Sequence, residues 1–153
     1  MSSPVQPWQR PLMTISSDKE ELKNPLHHHL KFRRIPGQFA VCRLPGDAPI
    51  PRWAAGGRFT SITRTAEELS IVCPFENVPK EHRPDARWQC FQLEGPFDFS
   101  QVGILASFID PLAENGVPIF AVSTYDTDYV LVQEEYVRAA LGALQGAGHE
   151  LLS

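Results

Sequence analysis

The chain has 153 residues, 42% of them hydrophobic and nine of them Phe, enough apolar mass for one globular unit or two very small ones. A net charge of −4 argues against a polyphosphate partner, so no nucleic acid is expected. No apolar run approaches membrane-spanning length and the first 30 residues lack a signal-peptide core, so no membrane partner is expected either.

Residues 1–32 are rich in Pro, Ser and charge and read as a mobile N-terminal extension, with a short helix around 18–23. Within it, His27, His28 and His29 invite a metal reading. Consecutive side chains of a strand point to opposite faces, so the three cannot all converge, and a solvated turn is expected instead. The basic run 31–34, KFRR, reads as a solvated strand edge.

Regular structure is expected from about Phe32. Residues 39–44 read as a strand ended by Pro45-Gly46-Asp47, and PIPRWAA at 49–55 supports at most a turn or two of helix. Residues 59–65 and 69–73 read as strands joined by the acidic loop Ala66-Glu67-Glu68. Pro79 and Pro84 limit 76–87 to a short, broken helix, and 88–93 is the next strand, stopped by Glu94-Gly95-Pro96.

The stretch 99–132, FSQVGILASFIDPLAENGVPIFAVSTYDTDYVLV, is the most informative. Val102, Leu105, Ala106, Ile109, Leu112 and Ala113 share one face of a helix that starts near Ser100 and is broken by Asn115-Gly116. An apolar strand over 117–122, a polar elbow over 123–128 and a strand over 129–132 follow. A second helix over 134–145, with Gly146 as its C-terminal cap, and a short strand over 149–152 complete the chain.

From Trp88 onward the order is therefore βαββαβ, and the order from Phe39 to Leu93 is a degraded version of the same. Ser61-Ile62-Thr63-Arg64-Thr65 echoes Ser123-Thr124-Tyr125-Asp126-Thr127. The expected fold class is α+β: tandem ferredoxin-like βαββαβ units with antiparallel sheets and helices on one face. The expected units are 33–89, degenerate, and 90–153, regular.

The residues FAVCRL, FTSITRT, ELSIVC, EGPFDFSQVGILASFIDPLAENGVPIF and STYDTDYVLV together resemble the ACT domain, across roughly residues 36–152. More closely, the chain resembles two-ACT bacterial and fungal proteins related to aspartate kinase regulatory domains and to the cytosolic arginine sensor of animal cells. That resemblance implies a regulatory, non-catalytic protein that binds a free amino acid between ACT units. It places ligand contacts at Gly103, Thr124, Tyr125 and Asp128. The first half has no counterpart of STYDTDYVLV.

Elementary chemistry points to the same places. A helix start offers backbone N–H groups to a carboxylate, so Gly103 and Ile104 suit backbone contacts. Thr124 and Thr127 add hydroxyls, Tyr125 a wall, and Asp126 or Asp128 a charge that suits the side chain of a basic amino acid or, equally, the ammonium common to all amino acids. Gly103 serves equally for close helix packing, and Asp126 for closing the hairpin. An Asp-x-Asp metal site lacks a third carboxylate, so no metal or other cofactor is expected.

No G-x-S-x-G elbow, phosphate-binding glycine loop or H-E-x-x-H is present. Cys73 or Cys90 with His82 is conceivable as nucleophile and base, but Cys42, Cys73 and Cys90 are widely spaced in apolar runs without a CxxC pair. That pattern fits reduced, buried thiols in a cytoplasmic protein. The reading is an amino-acid sensor, a homodimer with a regulated protein partner. Its alternative is an interaction or dimerisation module without a small ligand.

Overall fold

The computed structural model describes residues 27–98 and 100–153. The helix expected around 18–23 lies outside the described residues. Seven strands form one sheet: β1 (Lys31–Pro45), β2 (Ser61–Arg64), β3 (Glu68–Pro74), β4 (Trp88–Leu93), β5 (Phe120–Ser123), β6 (Asp128–Gln133) and β7 (Glu150–Leu152). The helices are α1 (Ile104–Glu114) and α2 (Val137–Gly146).

The sheet order is β2-β3-β1-β4-β6-β5, with β7 paired to β1. Every pairing is antiparallel except β1 with β7. β1 is the reason there is a single sheet. Its first part pairs with β4 and β7, and from Phe39 onward it pairs with β3. The register on β4 slips between Ile35 and Phe39, where Pro36-Gly37 bulges the strand.

The βαββαβ order of the second half is present, as β4-α1-β5-β6-α2-β7. Its sheet is not self-contained, because β1 lies between β4 and β7. The first half contains no α-helix among the described residues. Three-residue 3-10 turns at Arg52–Ala54, Phe75–Asn77 and Lys80–His82 stand where helices would be, as the prolines at 51, 74 and 79 dictate. Nor is KFRR an edge. It is the start of the central strand, with Arg33 paired to Glu94 and Arg34 donating to Gln89.

Both helices lie on one face, over Phe32, Phe91, Leu93, Val130 and Val132, with Phe108 and Leu112 from α1 and Ala140 and Leu144 from α2. Strand alternation carries that face into the first half as Ala40, Cys42, Leu69, Ile71 and Cys73, closed by Ala54, Phe75 and Val78. Ile35, Phe39, Val72, Cys90 and Leu131 point the other way and are covered by Phe59, whose ring lies 4.4 Å from that of Tyr129. Each fully buried Phe contributes on the order of 1.5–3 kcal/mol to holding these layers.

Both helices stop with the same hydrogen-bond pattern. Val117 N–H donates to Leu112 and Gly116 N–H to Ala113 in α1; His149 N–H donates to Leu144 and Gly148 N–H to Gln145 in α2. Gly148, with φ of +92°, is therefore the capping glycine, two residues beyond the Gly146 expected from sequence. Gly146 is the last residue of the helix itself.

Candidate functional site

The polar elbow is a four-residue hairpin loop, residues 124–127, between the paired residues Ser123 and Asp128. Thr124 closes it: its N–H and hydroxyl both donate to the Thr127 carbonyl, at 2.8 and 2.9 Å. The loop between β2 and β3 is built alike, with Thr65 N–H donating to Glu68 at 2.8 Å. The structural equivalent of Thr124 is thus Thr65, a shift of three from the echo read in the sequence, which sets Ile62 against Thr124. In the first half Arg64 and Leu69 stand at the places of Ser123 and Asp128, so the chemistry of the elbow is not repeated there.

Two contacts pin the elbow to the strand end before α1. The Thr127 hydroxyl donates to the Leu93 carbonyl at 2.7 Å, and Phe97 N–H donates to the Asp126 carbonyl at 2.9 Å. Gly95 makes this approach possible, since a Cβ there would lie 2.9 Å from the Asp126 carbonyl oxygen. Gly95→Ala should therefore displace the elbow and cost about 1–3 kcal/mol, the range for forced overpacking. Urea unfolding of the variant measures that cost.

Between these segments is a cavity of about 350 Å³ lined by Arg33, Gln92, Glu94, Gly95, Pro96, Asp126 and Thr127. Two carboxylates and one guanidinium give its rim a net negative charge. Arg33 and Glu94 form an exposed ion pair at 3.5 Å, too solvated to fix the rim by itself.

Of the residues expected from sequence, Asp126 and Thr127 line the cavity. Gly103, Ile104, Thr124, Tyr125 and Asp128 lie outside its described lining. Asp128 is half-buried and its Oδ1 accepts a bond from the Ser123 hydroxyl at 2.5 Å, which orients the carboxylate. Tyr125 is 79% exposed. Thr127 is buried and spends its hydroxyl on the fold.

The start of α1 lies later than expected. Asp98 holds Ser100 and Gln101 close, accepting from Ser100 N–H on its carboxylate and from Gln101 N–H on its carbonyl. The Ser100 N–H, together with the Ser100 hydroxyl, holds the Asp98 carboxyl below its ordinary range. The helix proper begins at Ile104, preceded by Gly103 at φ of +79°, a backbone shape open mainly to glycine. Ile104 is buried in the core, leaving its backbone as what it can offer.

The residues that sequence reasoning missed are Arg33, Glu94 and Gly95 around the cavity, and the histidines behind α1. His28 is no solvated bystander. Its N–H donates to Ser107 Oγ at 3.0 Å and its ring lies 2.9 Å from the Val102 carbonyl. His149 is buried between this segment and α1, its Nδ1 accepting from Leu30 N–H and its Nε2 facing the Ser107 carbonyl at 2.7 Å. The signal was Pro111, four residues after Ser107, which has no N–H to give that carbonyl.

Burial pushes the Cys73 thiol up to about 11 and that of Cys90 to about 12, and raises that of Cys42. Neither thiol is then a thiolate nucleophile near neutral pH, and the His82 ring is instead stacked with Trp53. Among the described residues no group of three His, Cys, Asp or Glu is placed to hold a metal ion. No helix among them is long and apolar enough to cross a membrane.

Comparison with known proteins agrees with this geometry. A model of the ACT domain matches residues 84–146, and a model of an N-terminal domain matches residues 37–81. The human protein CASTOR3P is 36% identical over 88 residues, covering 49% of this chain and 54% of that one. The bovine cytosolic arginine sensor for mTORC1 subunit 1 is 29% identical over 99 residues, covering 57% of this chain and 30% of that one. Among solved structures, protein Atu0741 from Agrobacterium tumefaciens is 44% identical with a TM-score of 0.76, covering 82% of this chain and 93% of that one. VC0802 from Vibrio cholerae shares the fold at 22% identity and a TM-score of 0.64, covering 88% of this chain and 98% of that one. With the matched domain coinciding with the β4-to-α2 region and its elbow, residues 84–146 of the chain belong to the ACT-domain family.

Proposed function

We propose that this chain is a cytoplasmic, non-catalytic sensor that binds a free basic amino acid and passes its occupancy to a protein partner. The ligand lies between ACT units of two copies in a homodimer. Its carboxylate meets the backbone of Gly103 and Ile104, its cationic group meets Asp128, and Thr124 and Tyr125 close over it. Asp126 and Thr127 form the adjoining wall. The two units are residues 33–89 and 90–153.

The observation that carries this reading is the pinned elbow beside a rim of net negative charge. Asp128 held by Ser123, on the same hairpin as Asp126, whose cavity also carries Glu94, suits an ammonium or guanidinium. The high exposure of Tyr125 suits a residue covered by a second copy. The arginine sensor among the relatives supports the choice of a basic ligand. Three free, buried thiols suit a reducing compartment.

A thermal-shift screen of the twenty free amino acids tests the proposal. Arginine or lysine should raise the melting temperature, since a ligand at a hundred times its Kd adds about 2.7 kcal/mol of native stability. If no amino acid shifts it, the chain is an interaction module instead. That second reading has its own support in the half-buried aromatic face of Trp88, Phe120 and Tyr129.

A further inference from the structure

In a chain of net charge −4, Arg58, Arg83 and Arg87 line one cavity of about 400 Å³ in the first half. It shares no lining residue with the elbow cavity. Two of the guanidinium groups are held in place. Arg87 lies 4.1 Å from the ring centre of Phe75 and donates to Gln38 Oε1 at 2.7 Å; Arg83 lies 5.4 Å from the same ring and donates from Nε to the Val78 carbonyl at 2.8 Å. A guanidinium has five N–H donors in a fixed fork, so these bonds leave others unspent. Arg58 is exposed and makes no hydrogen bond or ion pair among the described residues.

None of the three has a carboxylate within ion-pair distance among the described residues, where the ion pairs are Arg33–Glu94 and Arg43–Glu68. Glu76 also lines the cavity, which leaves a net charge of +2 from three Arg and one Glu. Like charges gathered in one concavity repel one another, and the arrangement is relieved by an anion that several forks can grip. Phe75, Phe39 and Pro74 supply an apolar floor beside them.

We propose that this cavity binds a small organic anion, its carboxylate or phosphate oxygens held by Arg58, Arg83 and Arg87 and its carbon skeleton resting against Phe75. The site is separate from the elbow and places a second ligand on the half of the chain that lacks an elbow chemistry of its own.

Calorimetric titration of the full chain with citrate and with inorganic phosphate, each at matched ionic strength in chloride, tests this. At least one of the two should bind saturably at a single site, and which one does tells carboxylate from phosphate. Arg58→Gln and Arg87→Gln should each weaken that binding tenfold or more, while Arg138→Gln on α2 leaves it unchanged. Arg87 also holds Gln38 and packs on Phe75; if its variant does not fold, Arg58→Gln, which removes no internal contact, decides alone. The proposal is overturned if neither anion binds at millimolar concentration, if binding survives the arginine substitutions in the cavity, or if Arg138→Gln weakens it as much.

Discussion

Replacing His149 by alanine should destabilise the chain by about 2–4 kcal/mol, because two buried backbone groups then lose their partners at about 1–3 kcal/mol each. Those groups are Leu30 N–H, which donates to Nδ1 at 3.0 Å, and the Ser107 carbonyl, 2.7 Å from Nε2. With Nδ1 accepting, the proton sits on Nε2 and the ring is neutral. A second proton on Nδ1 would face the Leu30 N–H directly. Burial, together with the charges of His29 and His27, keeps the His149 pKa below its ordinary 6.5, the Ser107 carbonyl opposing this in part. The unfolded chain therefore takes up the proton first. Stability from this group is complete above about pH 6.5 and falls as the pH drops below it. Urea unfolding across that range should show the decline in the wild type. His149→Gln, which offers an acceptor and a donor without titrating, should recover part of the loss in His149→Ala and flatten the pH dependence. Equal stability of the alanine variant and the wild type would rule out this role.

Much of this architecture is legible in the residues, and the misses have identifiable causes. The element order of the second half is readable from its periods, but the face of α1 is not: Ile104, Ser107, Phe108, Pro111 and Leu112 are buried, whereas Val102, Ala106 and Ala113 of the expected face are exposed. Residues 88–93 form the expected strand, and the helix expected from near Ser100 to the Asn115-Gly116 break is observed over Ile104–Glu114. Its start was set too early because Asp98 captures the N–H groups of Ser100 and Gln101 in a turn before the helix begins. The first half misled because an echo in element order suggested a second helical unit. Local chemistry there favours 3-10 turns, and β1 instead runs through both halves and merges them. At the site, Thr124 and Thr127 were legible as polar residues at a hairpin, whereas their hydroxyls serve mainly to close and pin it. Glu94 and Gly95 read as a strand stop. Their role beside Asp126 is a long-range approach that no local pattern encodes.

Replacing Asp128 by alanine should weaken binding of a basic amino acid by about 1.5–3 kcal/mol, the range for a hydrogen bond to a charged group, or roughly tenfold to a hundredfold. The carboxylate is already oriented, since Ser123 donates to Oδ1 at 2.5 Å, so little ordering is left for binding to require. The substitution falls at the first residue of β6 beside an exposed loop, so the fold should be kept and circular dichroism should be unchanged. Asp128→Asn, which preserves an acceptor for Ser123 but removes the charge, should lie between wild type and alanine. The choice of ligands then locates the charge. If Asp128→Ala weakens arginine and lysine but spares leucine, the carboxylate holds the side-chain cation; if all three weaken alike, it holds the α-ammonium. Calorimetry on Asp128→Ala, Asp126→Ala and Glu94→Gln separates the two sides of the elbow. Loss in Glu94→Gln and Asp126→Ala with Asp128→Ala unchanged would move the ligand into the 350 Å³ cavity, because only the first two residues line it. Loss in Asp128→Ala alone puts the ligand on the outer side of the hairpin, where Tyr125 is exposed and a second copy can cover it.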